Sequence, residues 1–291
     1  MSWFLRYTSH LGYFPPEFRP QFAATVGSND PVAHVEYAAS IGMSGVLYPW
    51  AAERSDSEVR GVGNALSASG LACGCIVGLP LTATFGGPWV DRSPTGRSAL
   101  EKHIVTAAKT ATLLGASRLA AIVSADPNRD NDSQLEDAAA NVHDMAGVAA
   151  DHGLVLAVEP MCILPGMLLT STASAVGLLQ RADHPAARLI FDTGHVASMG
   201  EDIIATFSDV YDHIALLQLA DDPGRVEPGA GTLPLVELAA DAVRRGYAGL
   251  VDLEHEWSAP DAEGEKAGLD RVRAFDDAVR SAVAAATASE S

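Results

Sequence analysis

The distribution of apolar and polar positions along the chain predicts short buried strands that alternate with longer helices. The run from His213 to Leu219 is apolar apart from one amide, which is typical of a parallel strand buried on both faces. The segment 132–153 instead repeats apolar residues every three or four positions, the period of a helix with one buried face. We predict strands at 3–8, 45–50, 71–81, 117–126, 154–159, 188–192, 213–219 and 249–255.

Turn and cap residues divide these runs and fix the predicted helices between them. Asp30 can cap a helix that Pro31 opens, whereas Pro15, Pro16 and Pro20 forbid helix in the preceding loop. The segment 82–96 is rich in aromatic residues, Gly and Pro, so we predict an ordered lid or substrate wall. The predicted helices are 31–42, 55–69, 97–115, 132–153, 172–181, 202–207, 233–245 and about 264–288.

Alternation of strands with helices indicates an α/β fold with a parallel sheet. Eight strand-helix repeats close most simply into a single (β/α)8 TIM barrel. The chain has 291 residues, is 48% hydrophobic and has a mean hydropathy of +0.12, so it can bury the large core that such a barrel needs. We therefore expect one domain over residues 1–291, with the last helix at its carboxyl end.

Four predicted strands end in a side-chain oxygen that could bind a cation. Barrel strands present reactive groups at their carboxyl ends, and the four positions are 33, 26 and 36 residues apart, about one repeat each. Three carboxylates and one amide form a hard ligand set that suits Mg²⁺ or Mn²⁺, and without a cation the carboxylates would repel one another. The alternative is that an Arg or a helix start caps each acid. The four residues are Glu159, Asp192, Gln218 and Glu254.

Three further residues are candidates for contact with a substrate. His195 follows Asp192 by three positions and could donate a hydrogen bond at the same mouth, although a loop histidine satisfied by backbone is the alternative. Arg225 lies in the turn after the seventh strand and could bind a carboxylate or hydroxyl, or could instead pair with Asp221 or Glu227. Trp89 belongs to the predicted substrate wall.

Composition and motifs exclude several other classes of protein. The net charge of −18 argues against a nucleic-acid groove, and none of the three lysines ends a predicted strand. No stretch has the pattern of a secretory signal or of a membrane helix, and three cysteines cannot form a disulfide framework. We therefore expect a cytoplasmic protein without a membrane partner. The single Asp-Thr-Gly at 192–194 lacks the second copy and all-β scaffold of an aspartic protease, and no nucleotide-binding or nucleophile-elbow motif is present.

Several of these segments together resemble the xylose-isomerase-like barrels. LLQLADDPGRVEPGAG and RRGYAGLVDLEHE look like the seventh and eighth strands of that family, LAVEP and FDTGH like the fifth and sixth, and GGPWVDRSPTGR like its loop after the third. The resemblance runs from about Trp3 to Trp257 and is nearest to the hydroxypyruvate isomerases, with ketose epimerases and inosose isomerases as relatives. Gln218 favours the hydroxypyruvate isomerase branch, whereas Leu47 and the sequence at 229–232 depart from it.

The resemblance implies a metal-dependent enzyme acting on a small hydroxy-carbonyl compound or sugar through an enediolate. Glu159, Asp192, Gln218 and Glu254 would hold the metal, and His195 and Arg225 would contact the substrate. Glu159 and Glu254 would also move the proton, giving aldose-ketose isomerisation or epimerisation according to the carbon and face that receive it. The same site could serve a dehydratase or carbon-glycoside lyase, and homo-oligomers are possible.

Two other classes remain as alternatives. A metal-dependent phosphodiesterase of the apurinic endonuclease type shares the barrel, but it needs more histidines at the strand ends and a basic groove. A barrel that has lost catalysis could serve as a partner subunit, and the presence of both Glu159 and Glu254 argues against this reading.

Overall fold

A single sheet of parallel strands forms the centre of the computed structural model, which describes residues 2–289. Each strand pairs in parallel with its neighbours, as expected where helices connect consecutive strands. The strands are β1 (Tyr7–His10), β2 (Gly45–Leu47), β3 (Ala72–Cys73), β4 (Cys75–Val77), β5 (Arg118–Ile122), β6 (Val155–Glu159), β7 (Ala187–Asp192), β8 (Ile214–Leu219) and β9 (Val251–Leu253).

The sheet closes into a barrel of eight strand positions. The order is β3-β2-β1-β9-β8-β7-β6-β5-β4, and β3 and β4 are the two parts of the predicted third strand, interrupted at Gly74. The break lies against the end of β2, where Gly74 N donates to Val46 O at 2.7 Å and Val77 N to Pro49 O at 2.7 Å. These two bonds join the ends of the sheet, so the predicted TIM-barrel fold is confirmed.

Helices surround the barrel and follow the predicted alternation. The described helices are α1 (Ala23–Val26), α2 (Pro31–Ser40), α3 (Asp56–Ser69), α4 (Leu81–Thr84), α5 (Pro94–Leu114), α6 (Asn131–Asp151), α7 (Thr172–Ala182), α8 (Thr193–Ser198), α9 (Ile203–Val210), α10 (Leu235–Arg244) and α11 (Ala262–Ser289). The last of these confirms the helix predicted at about 264–288.

Three regions show how the elements differ from the prediction. The first strand begins at Tyr7, four residues later than predicted, because Phe4 N and Leu5 N bond to the carboxylate of Asp276 on α11 rather than to a neighbouring strand. The loop 82–96 contains part of α4 and the 3-10 turn Pro88–Val90. The helix α8 was not predicted, because its six residues are too few to show a helical period.

The apolar core has two parts, separated by the barrel wall. A large cluster fills the space between the strands and the helices, whereas a smaller one, with Leu47, Val77, Ala120 and Ile190, lies inside the barrel. Successive residues of a strand alternate between these two sides. Polar side chains that interrupt the inner cluster therefore face the barrel interior. No helix in residues 2–289 is long and apolar enough to cross a membrane.

Candidate active site

The four predicted oxygen ligands meet at the carboxyl ends of neighbouring strands. Glu159 is the last residue of β6, Asp192 is the last of β7, and Glu254 directly follows β9. Asp192 is the register partner of Gln218 on β8, so these side chains stand side by side at one rim of the barrel. All four are buried. The structure thus brings together residues that are up to 95 positions apart in the sequence.

The side chains form a compact acidic cluster, which we define as Glu159, Asp192, His195 and Glu254. One ligand atom from each lies within 4.8 Å of the others. His195 Nε2 lies 3.4 Å from Glu159 Oε1, and Gln218 Nε2 donates a hydrogen bond of 2.5 Å to Glu254 Oε2. His195 therefore belongs to the same site as the carboxylates, as its spacing from Asp192 predicts.

A short helix explains how His195 reaches the cluster. Asp192 is the N-cap of α8, and its Oδ1 accepts a hydrogen bond from His195 N at 2.9 Å. The cap turns the chain immediately after β7, so that the first turn of α8 faces the barrel mouth. Asp192 thus caps a helix, which was the alternative explanation for this acid, and it also belongs to the acidic cluster.

Arg225 binds two carboxylates of the site directly. Its NH1 and NH2 donate to Asp192 Oδ1 and Oδ2 at 3.1 and 2.8 Å, and NH2 also donates to Glu254 Oε1 at 3.1 Å. The alternative pairing with Asp221 or Glu227 is wrong, because those acids have other partners. Asp221 accepts four backbone N–H groups of its own loop, and Glu227 binds Ser258 and Arg271.

The backbone around Arg225 is shaped to hold its guanidinium in this place. Arg225 has φ of 52°, in the left-handed region that disfavours side chains other than glycine. Non-glycine residues in this region cost on the order of 1 kcal/mol and are common at functional sites. A Cβ at position 194 would stand 2.7 Å from Arg225 NH1, so the glycine there leaves room for the guanidinium. The ring of Tyr13 lies 5.4 Å from the Arg225 Cζ on another side.

Charges within the cluster move the pKa values of its carboxyls in opposite directions. Burial, with the nearby carboxylate of Glu159 as the next cause, raises the pKa of Glu254 well above its usual range. Burial also acts to raise the pKa of Asp192, but the guanidinium of Arg225 and the neighbouring His195 hold it below its usual value. Two carboxyls with separated pKa values can divide the tasks of proton carrier and fixed anion.

The donor set fits a divalent cation. Glu159 Oε1 and Gln218 Oε1 are buried acceptors without a hydrogen-bond donor, and both residues line the same cavity. Buried acceptors are rarely left unpaired, so a cation at this point would supply the missing partner. Glu159, Asp192, Gln218 and Glu254 would hold it, with Arg225 sharing the oxygens of Asp192 and Glu254. Their oxygen-rich chemistry suits a hard metal ion.

A cavity of about 900 Å³ opens above the cluster. Glu159, His195, Gln218, Arg225 and Glu254 all line it, which places five of the predicted residues on one surface. Asp192 lies behind Arg225, with 2% of its surface exposed.

Trp89 does not belong to this cavity, contrary to its predicted contact with substrate. It is fully buried in the large outer core cluster and is not among the residues of the cavity wall. Its carbonyl accepts from Asn141 on α6, so the 3-10 turn packs against the helix layer. The composition of the loop 82–96 predicts an ordered segment, but it does not indicate which side the ring of Trp89 faces.

Two polar residues near the site were not predicted. Asp252 is fully buried inside the barrel, accepts from Thr8 Oγ1 at 2.6 Å, and has its pKa raised to about 6 by burial. It precedes Glu254 by two positions, so strand alternation alone could have placed it on the same side. Tyr13 contacts Arg225 from the proline-rich loop, where no periodic signal points to a site.

Fold and site together define a TIM-barrel protein with a buried cluster of carboxylates and one histidine at the carboxyl ends of its strands, a group that could hold a metal ion. The sequence also matches the family described as "Xylose isomerase-like TIM barrel" over residues 35–275. The chain therefore belongs to this family.

Individual relatives are more distant. The chain is 24% identical to "Hydroxypyruvate isomerase" of Escherichia coli over 250 residues, which is 82% of this chain and 93% of that protein. It is 33% identical to "Putative hydroxypyruvate isomerase" of Streptomyces coelicolor over 119 residues, covering 38% of this chain and 43% of that one. The structure of the 3-keto-D-glucoside 4-epimerase from E. coli superposes with a TM-score of 0.73 at 18% identity, covering 93% of this chain and 98% of that one.

Proposed function

We propose that the protein is a divalent-metal-dependent isomerase or epimerase that moves a proton beside a carbonyl group of a sugar or hydroxy-keto acid. The observation that carries this proposal is the pair Glu159 and Glu254 at one buried centre, with the pKa of Glu254 well above its usual range. A buried carboxyl that faces a substrate can accept a proton from it and return the proton to it. Relatives named as hydroxypyruvate isomerases and a keto-glucoside epimerase support the same reaction class.

The side chains of the cluster have separate roles in this proposal. Glu159 and Glu254 face the reacting carbon from two sides and remove and return its proton. His195 donates a hydrogen bond to a substrate oxygen, and Arg225 holds the Asp192 and Glu254 carboxylates in place. A bound Mn²⁺ or Mg²⁺ supplies Lewis-acid stabilisation of negative charge on the substrate oxygens. Return of the proton to the neighbouring carbon gives isomerisation, and return to the opposite face of the same carbon gives epimerisation.

Within this class we favour hydroxypyruvate isomerase-like chemistry as the first candidate. Gln218 stands where that branch carries Gln, and both curated relatives described above bear that name. Epimerisation of a ketose or inosose is the second candidate, because Leu47 and the sequence at 229–232 depart from the hydroxypyruvate isomerase branch. Loss of a leaving group, as in a dehydratase or carbon-glycoside lyase, is a third outcome of the same proton removal.

Deuterium exchange tests the proposal directly. The Mn²⁺-loaded enzyme is incubated in heavy water with hydroxypyruvate, tartronate semialdehyde, ketoses and inososes, and the products are followed by proton NMR. We expect deuterium beside the carbonyl together with a new isomer. The Glu254→Gln variant should lose at least about 10³-fold in exchange rate, because it lacks the proton carrier.

The control is Glu101→Gln, an exposed glutamate on α5, which should exchange at the rate of the unmodified protein. Circular dichroism and thermal unfolding establish that both variants are folded. Normal exchange in folded Glu254→Gln protein would refute the assigned mechanism.

A further inference from the structure

One carboxyl of the barrel interior has no role in the site described above. Asp252 lies in the middle of β9, is fully buried and does not line the cavity. The inner core cluster consists of apolar residues such as Ala157, Ile190 and Leu216. A carboxyl inside such a core costs free energy unless hydrogen-bonding partners compensate for its lost hydration. The partners of Asp252 therefore indicate what this carboxyl does.

Hydrogen-bonding groups reach Asp252 from both neighbouring strands. Thr8 of β1 and Gln218 of β8 are its register partners. Thr8 Oγ1 donates to Asp252 Oδ1 at 2.6 Å. Burial raises the pKa of Asp252 to about 6, whereas hydrogen bonds from the side chains of Thr8 and Gln218 act to lower it. The carboxyl thus lies between uncharged donors of the two adjacent strands.

The break in the third strand leaves room for this carboxyl. A Cβ on Gly74 would lie 3.0 Å from Asp252 Oδ1 and 3.3 Å from Asp252 Oδ2. Both oxygens therefore lie against the backbone of residue 74, where a side chain would displace them. The fold keeps the carboxyl of Asp252 in one place, two residues before Glu254 on the same strand and the same side.

The amide of Gln218 can bind a cation in only one of its two orientations. Its Oε1 is the acceptor that a cation needs, whereas its Nε2 carries two N–H donors. One N–H donates to Glu254 Oε2 at 2.5 Å, and Oε1 is buried without a hydrogen-bond donor. Rotation of the amide by half a turn would direct the N–H groups toward the cation. Affinity for a cation therefore depends on what holds the amide of Gln218.

Glu254 alone is a poor anchor for this amide, because its oxygens have other partners. Glu254 Oε1 accepts from Arg225 NH2 at 3.1 Å. In the proposed function the same carboxyl also binds the metal and carries a proton. Asp252 has no such second task, since it lies outside the cavity wall. Its position beside Gln218 makes it an acceptor for the second N–H of the amide.

We propose that Asp252 is a positioning residue, which accepts the second N–H of Gln218 and so holds the amide oxygen of Gln218 toward the metal site. Asp252 touches neither the cation nor the substrate and acts through Gln218. The inference rests on the proposed function, because it assumes that a divalent cation binds at the acidic cluster. It adds a residue on which the affinity for that cation depends.

The test is calorimetric titration of metal-free protein with Mn²⁺, at one pH, for the unmodified chain, Asp252→Asn, Gln218→Ala and the double variant. Asn keeps the shape of Asp but can donate an N–H to Gln218 Oε1 and turn this oxygen from the cation. We expect Asp252→Asn to weaken Kd about tenfold or more, the usual effect of losing a group that orients a metal ligand. In the Gln218→Ala background the same change should alter Kd less than about twofold.

The double variant separates positioning from a direct effect of charge. Loss of a buried negative charge would weaken Mn²⁺ binding by the same factor with or without Gln218. Equal factors in the two backgrounds would therefore overturn the inference, as would an unchanged Kd in folded Asp252→Asn protein. If Asp252→Asn does not fold, Thr8→Val decides. It removes the donor to Asp252 Oδ1 and should also weaken Kd only when Gln218 is present, and an unchanged Kd would overturn the inference.

Asp276→Asn is the matched control. Asp276 is another buried carboxyl, on α11, and it accepts from Phe4 N and Leu5 N outside the barrel interior. Its variant should lower the temperature of unfolding without changing Kd for Mn²⁺. Circular dichroism establishes that each titrated variant is folded.

Failure of the proposed function gives a different result. An unmodified protein that binds no Mn²⁺ would refute the metal centre and the inference with it. The expected pattern of Kd values, without deuterium exchange in any hydroxy-carbonyl compound, would support the inference and refute the proposed reaction alone.

Discussion

At the scale of single residues, His10 at the end of the first strand and His255 just after the last strand form a buried neutral pair beside the site. His10 Nε2 donates to His255 O at 3.2 Å, and its Nδ1 accepts from Gly12 N at 3.2 Å. Gln21 Nε2 lies 3.0 Å from His255 Nε2. Burial, and then the neighbouring His255, lower the pKa of His10 to about 3, and burial lowers the pKa of His255 to about 4. The pair fixes the loop that carries Tyr13.

The neutral state of His10 predicts a defined loss of stability in acid. Its folded pKa of about 3 lies below the unfolded value of 6.5, so its contribution is complete above pH 6.5 and is lost as the pH falls towards 3. Between pH 7 and pH 5 this amounts to about 2 kcal/mol. The Gln side chain in His10→Gln can make both hydrogen bonds but does not titrate. Between pH 7 and pH 5 we therefore expect this variant to lose about 2 kcal/mol less free energy of unfolding than the unmodified protein loses.

Urea unfolding at pH 7 and pH 5 measures the difference, because contributions common to the two proteins cancel. His152→Gln, at the exposed end of α6, serves as the control and should follow the unmodified protein. The interpretation fails if His10→Gln and the unmodified protein lose the same free energy between the two pH values.

At the scale of elements, glycines allow close approach of the backbones where the second and third strands of the barrel meet. A Cβ on Gly45 of β2 would overlap Ala72 O of β3, and one on Gly74 would lie 3.0 Å from Asp252 Oδ1. These glycines lie where the predicted third strand meets the second, next to the break between β3 and β4. Close approach of two backbones is one of the reasons for which strands retain glycine.

Gly45→Ala should therefore destabilise the fold by about 3 kcal/mol, because the ladder between β2 and β3 must separate to admit the methyl group. Gly61→Ala on α3 is the matched control, since its Cβ would meet Val32 Cγ2 at an ordinary 3.6 Å. It should gain about 0.5–1 kcal/mol by reducing the freedom of the unfolded chain. Denaturant unfolding with equal m-values measures both, and equal stabilities for the two variants would contradict the argument.

At the scale of the whole molecule, an acidic chain concentrates part of its charge in one buried centre. The net charge of −18 favours solubility and opposes compactness through self-repulsion. Within the barrel, Glu159, Asp192 and Glu254 add three carboxyls to a site where Arg225 is the cation in direct contact with two of them. The side chains of this centre come from separate strands and meet only in the folded protein. A divalent cation that binds there would therefore stabilise the folded state and not the unfolded state.

Metal binding should thus raise the temperature of unfolding. At a Mn²⁺ concentration about 100-fold above Kd we expect a gain of roughly 2.7 kcal/mol, or roughly 5 °C or more, relative to chelator-treated protein. Glu159→Gln should reduce this gain strongly, whereas Glu101→Gln should retain it. Calorimetric titration supplies Kd independently of activity. Equal unfolding temperatures with and without bound metal would refute a cation at this centre.

The sequence by itself determined the fold class and the four oxygen-bearing side chains that meet at one rim of the barrel. Continuous apolar runs, caps and glycines repeat along the chain, and a polar residue at the end of a buried run stands out without any knowledge of its neighbours. The confirmed barrel and the convergence of Glu159, Asp192, Gln218 and Glu254 follow from that repeat, because parallel strands place their carboxyl ends at one rim.

Tertiary structure alone decided the partners of Arg225, the burial of Trp89 and the split of the third strand. The sequence of a loop has no periodicity that indicates the direction of a side chain. Arg225 could therefore be predicted to lie near the rim, but its contacts with Asp192 and Glu254 could not be predicted. The cavity above the acidic cluster likewise depends on which strands face each other across the barrel. Local pattern fixes which residues are buried, whereas closure of the sheet fixes which buried residues meet.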